Sequence, residues 1–128
     1  MLILGGAPLG NVGDVSDRLK DAIEHTPYIA AEDSRRFARL CQDLGVSYSG
    51  KVMSFFEGNE NERLDSLVDI LIQGHDLLVI TDGGMPGISD PGYRLIAAAI
   101  ERSIPVSVLP GPSAVTTALP VSYTHLRA

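Results

Sequence analysis

The stretch Leu77-Leu78-Val79-Ile80-Thr81 runs straight into Asp82-Gly83-Gly84-Met85-Pro86-Gly87-Ile88-Ser89-Asp90-Pro91-Gly92, and it decides how the rest of the chain is read. Its first part is apolar at every position up to Thr81. A strand of that kind has both faces covered, as in a parallel sheet sandwiched between helices. Its second part packs four glycines and two prolines into eleven residues. Glycine lets backbone come close to a ligand and proline fixes that backbone, so this loop is expected to be pre-shaped.

Working outward, the same grammar repeats. Leu2-Ile3-Leu4 reads as a first strand ending in the loop Gly5 to Asn11. Val15, Leu19, Ala22 and Ile23 follow at helical spacing, with Asp14 expected as the cap. Tyr28 to Ala31 is a second strand. Phe37, Leu40, Cys41 and Leu44 mark a second helix that Gly45 stops. Val52 to Phe55 reads as a third strand, and Leu64, Leu67, Val68 and Leu71 as a helix ending near Gly74. After the glycine-rich loop come a helix from about Pro91 to Arg102, a strand at Val106 to Leu109, and a helix start after Pro110-Gly111-Pro112. Strand and helix in strict alternation, with short connections, predict an α/β fold: a mostly parallel sheet with helices on both faces.

With 128 residues and 45% hydrophobic residues, the chain suffices for one domain with a real core and not for two ordinary ones. No apolar run approaches the roughly 18 residues of a membrane span, and the first residues lack the basic start of a secretory signal. The single cysteine, Cys41, excludes an internal disulfide and suits a reducing, cytoplasmic setting. A net charge of −6 argues against a self-sufficient nucleic-acid binder, since phosphate-binding surfaces are usually basic. The local exception is Arg35-Arg36 followed by Arg39, which equally describes a solvated helix face.

In open parallel sheets ligands bind beyond the carboxyl ends of the strands. Gly5–Asn11, Asp82–Gly92 and Pro110–Ser113 all sit at such ends. The phosphate-binding patterns fail: there is no Gly-x-x-x-x-Gly-Lys-Ser/Thr, and Ala7 stands where a dinucleotide loop wants glycine. The central loop carries two carboxylates and no cation, which suits a ligand with positive charge and hydroxyl donors. Asp82 at its strand end is the residue expected to be functional. Asp90 before Pro91 reads as a helix cap, and Asp33 equally well as the cap of the second helix. His25 and His75 have no partners at ligand spacing, so no metal site is expected.

Taken together, four blocks carry a resemblance. Gly6-Ala7-Pro8-Leu9-Gly10-Asn11, Ala31-Glu32-Asp33-Ser34-Arg35-Arg36, Thr81 to Arg94, and Pro110-Gly111-Pro112-Ser113-Ala114-Val115 stand in the order and spacing of the tetrapyrrole methylase family. The Ala31-to-Arg36 block and the run Pro86-Gly87-Ile88-Ser89-Asp90-Pro91-Gly92 resemble that family's ribosomal-RNA-modifying branch. The resemblance covers about residues 2 to 119. It implies the amino-terminal domain of a two-domain enzyme, usually a homodimer, that binds S-adenosyl-L-methionine in the cleft between domains. The implied reaction methylates the ribose 2′-oxygen of a cytidine in the decoding region of 16S rRNA in the small ribosomal subunit. By position it implies Pro8, Gly10, Asp82, Gly83, Met85, Pro86, Gly87 and Ser113 at the cofactor cleft. Glu32, Asp33 and Asp82 are the candidates for the base that deprotonates the hydroxyl, and Arg35 and Arg36 for RNA phosphate contacts. The family usually has threonine where Ala7, Ser34 and Met85 stand, and alanine where Gly83 stands.

Residues 121–128 depart from the family and resemble the translation of a transposase-type sequencing adapter. The expectation is therefore a methylase domain over residues 1–120, a non-native tail over 121–128, and a chain that is inactive and poorly soluble alone. The rival readings are a precorrin or uroporphyrinogen methylase of the same family and a non-catalytic ligand-binding module.

Overall fold

The computed structural model describes residues 1–87 and 92–113. The element order is β1 (Leu2–Gly5), α1 (Asp17–His25), β2 (Tyr28–Ala31), α2 (Ser34–Leu44), β3 (Lys51–Ser54), α3 (Glu60–Ile72), β4 (Leu77–Ile80), α4 (Tyr93–Glu101) and β5 (Val106–Leu109). The strands form one sheet in the order β3-β2-β4-β1-β5, with every pairing parallel. The expected α/β class is what the chain adopts.

The apolar stretch that opened the sequence reading is the middle strand, and all four residues of β4 are buried. Alternation divides their work. Leu77 and Val79 face a core built with Leu2, Leu4 and Ala30, closed by Leu67 and Leu71 of α3 and Leu95 and Ala99 of α4. Leu78 and Ile80 face the opposite core with Ile29, Leu19 and Ile23 of α1, and Phe37 and Cys41 of α2. Helices therefore cover both faces, and truncating a side chain such as Leu78 to alanine would remove roughly 2–5 kcal/mol.

The register sets all five strand ends level. Ser54 pairs with Ala31, Ala31 with Ile80, Ile80 with Gly5 and Gly5 with Leu109. Each following loop thus leaves the sheet from one common row.

Local signals mostly act as read. Gly45 ends α2 with φ +70, and its N–H returns to the carbonyls of Cys41 and Gln42. The expected cap at Asp14 is corrected. Val12–Asp14 forms a short 3₁₀ turn capped by Asn11, and α1 begins later, with the Ser16 hydroxyl accepting from Leu19 N–H at 3.1 Å. Ser16 lies three residues before Leu19, the spacing a capping hydroxyl requires, whereas Asp14 is used up in the preceding turn. The Asp90–Pro91 cap, the helix start after Ser113 and the tail at residues 121–128 lie outside the described residues. No helix among the described residues is long and apolar enough to cross a membrane.

Cys41, on the inner face of α2, is 2% exposed, and burial pushes its thiol from the usual 9 up to about 11. Only the thiolate is nucleophilic. At pH 8 alkylation of the folded chain should be slower than that of a denaturant-unfolded sample by about 100-fold or more. A free-thiol rate in the folded chain would contradict this packing of α2 against the sheet.

Candidate functional site

Two loops meet above the level row. Ala7 N–H donates to the Gly84 carbonyl at 3.0 Å, and Gly84 N–H returns to the Ala7 carbonyl at 2.9 Å. Gly84 takes φ +81, a conformation few side-chain-bearing residues adopt, and the buried Thr81 hydroxyl pins the turn by donating to the Gly83 carbonyl at 3.0 Å. On the other side of β1, Gly6 meets Gly111 backbone to backbone. A Cβ on Gly111 would stand 2.7 Å from the Gly6 carbonyl oxygen. Backbone contacts in this way join the first residues after β1, β4 and β5 into one floor.

Adjacency of β2 and β4 then brings the acids together. Asp82 N–H donates to Glu32 Oε1 at 2.9 Å. Arg36, in the first turn of α2, reaches Asp82 Oδ2 at 3.2 Å and stands 3.9 Å from Asp33 Oδ2. Asp33 itself caps α2, with Oδ1 accepting from Arg35 N–H at 2.9 Å and Arg36 N–H at 3.3 Å. Of the candidate bases, Asp33 is thus held by a structural task, while Glu32 and Asp82 face one another.

Two depressions open on this centre. The larger, about 400 Å³, is lined by Glu32, Asp33, Ser34, Arg35, Ser54, Phe56 and Asp82. The smaller, about 220 Å³, is lined by Pro8, Gly10, Val12, Arg36, Arg39, Leu40, Asp43 and Asp82. Asp82 belongs to both. Gly83 packs under the Pro8–Leu9 turn, and the Met85 sulfur lies against Gly6. Pro86, Gly87 and Ser113 line neither depression. Pro86 is buried, Gly87 stands against Ile96 of α4, and Ser113 is 9% exposed. The sequence reading missed Phe56, Ser54 and Asp43, although Phe56 follows a strand end just as Glu32 and Asp82 do.

Among the described residues Asp21, Glu24 and His25 could group around a metal ion. They are neighbours on one helix, and His25 Nδ1 already lies 2.9 Å from the Asp21 carbonyl oxygen. They sit where α1 leads into β2, at the opposite end of the sheet from Asp82.

The Asp82 carboxyl is held above its ordinary value, first by burial and then by repulsion from Glu32, with Arg36 opposing and Asp33 adding to the rise. Its side chain is 28% exposed and the paired guanidinium 72% exposed, so that ion pair is worth only about 0–1 kcal/mol. A carboxyl raised in the folded state destabilises the fold once it ionises. The cost is complete above the folded value and vanishes below the unfolded one. Asp82→Asn should therefore raise the melting temperature at pH 7, with the gain shrinking as pH falls through the carboxylate range. Thermal unfolding followed by circular dichroism at several pH values checks this, and a lower melting temperature at pH 7 would contradict it.

Comparison with known proteins agrees with this architecture. The family model for Tetrapyrrole (Corrin/Porphyrin) Methylases matches residues 1–127. The chain is 47% identical over 121 residues to a protein of Mycobacterium tuberculosis (strain CDC 1551 / Oshkosh) named Ribosomal RNA small subunit methyltransferase I, covering 94% of this chain and 42% of that protein. Proteins of the same name from Micromonospora olivasterospora and Streptococcus pyogenes serotype M6 are 39% and 41% identical over 118 residues, covering 92% of this chain and 37% and 40% of their own length. The chain thus spans about two-fifths of the length of these curated relatives. By its sequence blocks, its sheet and this match, the chain belongs to the tetrapyrrole methylase family.

Proposed function

We propose that residues 1–120 form the amino-terminal domain of an S-adenosyl-L-methionine-dependent methyltransferase acting on the ribose 2′-hydroxyl of a cytidine in the decoding region of 16S rRNA. In this reading the complete enzyme works in the cytoplasm as a homodimer, and residues 121–128 are not part of it. The observation that carries the reading is the position of Asp82, shared by two adjoining depressions. A transfer site needs donor and acceptor in line on either side of one centre. The names of the relatives favour RNA over a tetrapyrrole as acceptor.

The donor set fits the cofactor. S-adenosylmethionine supplies a methyl group on a sulfonium, and the carboxylates here suit its positive charge and its ribose hydroxyls, while no phosphate-binding loop competes. Pro8, Gly10 and Asp82 would hold it from the smaller depression, with Gly83 and Met85 shaping the floor. Pro86, Gly87 and Ser113 would act by bracing these loops. On the acceptor side a ribose hydroxyl is a weak nucleophile, and a base within hydrogen-bond reach speeds its attack. Asp82 is the group assigned to take that proton, because its raised affinity for protons makes it a stronger base than a free carboxylate. Arg35 is free to meet a phosphate, whereas Arg36 is paired with Asp82 and orients it.

The test joins residues 1–120 to the part of the Mycobacterium relative that this chain does not cover, and supplies tritiated cofactor with small ribosomal subunits lacking decoding-region ribose methylation. Label should appear on a cytidine 2′-oxygen, and Asp82→Asn should lower turnover by about 10²–10⁴. The 128-residue chain alone should transfer none. Label in uroporphyrinogen and not in RNA would overturn the reading.

A further inference from the structure

Phe56 has no part in the acid–arginine centre, yet the chain holds it in place. It follows β3 by two residues, the same offset at which Asp82 follows β4 and Asp33 follows β2. It is 43% exposed, while its neighbour Phe55 is buried in the core. Its backbone N–H donates to Asn59 Oδ1 at 2.8 Å, and Asn59 Nδ2 donates to the Ser54 carbonyl at 3.0 Å, so one side chain clamps the turn at both ends. The ring rests against Gly58, where a Cβ would come within 2.7 Å of Phe56 Cε2. The result is an exposed aromatic group in the wall of the 400 Å³ depression, which it shares with Glu32, Asp82 and Arg35.

We propose that Phe56 is the stacking platform for the acceptor base, and that the Glu32 carboxylate in the same wall selects a base bearing an exocyclic amine, cytosine over uracil. This rests on the ribosomal RNA reading above. Single-stranded or splayed nucleotides are recognised by stacking on aromatic faces, because leaving the helix costs the base its own stacking partners. A ring whose backbone is held by Asn59 and which leans on Gly58 has less freedom to lose on binding. Ionised carboxylates only accept hydrogen bonds. They pair with the N4 amine of cytosine and oppose the O4 of uracil, whose lone pairs they would face. Arg35 at the same wall supplies a cation for a flanking phosphate, a contact that positions without reading sequence.

The experiment measures binding of two short fluorescein-labelled RNAs to the 128-residue chain by anisotropy, one all uridine and one with a central cytidine. The chain should prefer the cytidine strand. Phe56→Ala should weaken its binding by about ten-fold or more, and Phe56→Tyr should keep it within about three-fold. Gly58→Ala, which displaces the ring without removing it, should weaken it several-fold. Because the sequence has no tryptophan, Phe56→Trp adds a lone fluorophore, and the cytidine strand should quench it. Equal binding by the native chain and Phe56→Ala, with an unquenched tryptophan, would overturn the stacking role and leave the RNA reading standing. A native chain that binds both strands alike would overturn the selection of cytosine.

Discussion

The structure depends on one row of paired residues: Ser54, Ala31, Ile80, Gly5 and Leu109, held level across five parallel strands. That row exists because β4 is apolar on both faces and must be paired on both edges and covered above and below. Once β4 is central, β1 and β2 lie beside it in fixed register, and the loops that follow them start from the same height. Everything chemically interesting stands within a few residues of this row.

The consequence is electrostatic crowding. Glu32, Asp33 and Asp82 converge where the strands end, with Arg36 the one guanidinium that pairs with them among the described residues. A sequence free to maximise stability would not gather like charges at a strand edge, since each partly buried carboxylate disfavours the next. Here the backbone contacts beneath hold the arrangement. The exchange between Ala7 and Gly84 and the close meeting of Gly6 with Gly111 keep the floor from relaxing away from the strained centre. Stability is thus concentrated in the two cores and spent locally at the row, as is common where a site must be ready before its ligand arrives.

Much of this was legible in the residues. The unbroken apolar run of β4 announced a parallel sheet, and the alternation of periods placed each helix between strands. The rule that ligands sit at strand carboxyl ends points to Asp82, and the family resemblance adds Glu32. What sequence could not supply was strand order. Arg36 and Asp82 lie 46 positions apart, and only the adjacency of β2 and β4 makes them partners. The helix cap was misplaced because Asn11, Asp14 and Ser16 are all competent caps, and the choice depends on whether a 3₁₀ turn forms first. The exposure of Phe56 and the Asn59 clamp beside it are not legible, because an apolar residue next to a strand is equally compatible with the core and spacing alone does not reveal the clamp.

The central claim is that this row, and not another part of the surface, receives the methyl donor. The most direct measurement is a titration of S-adenosylmethionine into the isotope-labelled chain, followed by two-dimensional amide NMR. The account predicts shifts confined to the amides of Gly10, Glu32, Arg36, Asp82 and Gly83, fading toward α1 and α3. Shifts centred on Asp21, Glu24 and His25, or none at millimolar donor, would contradict it.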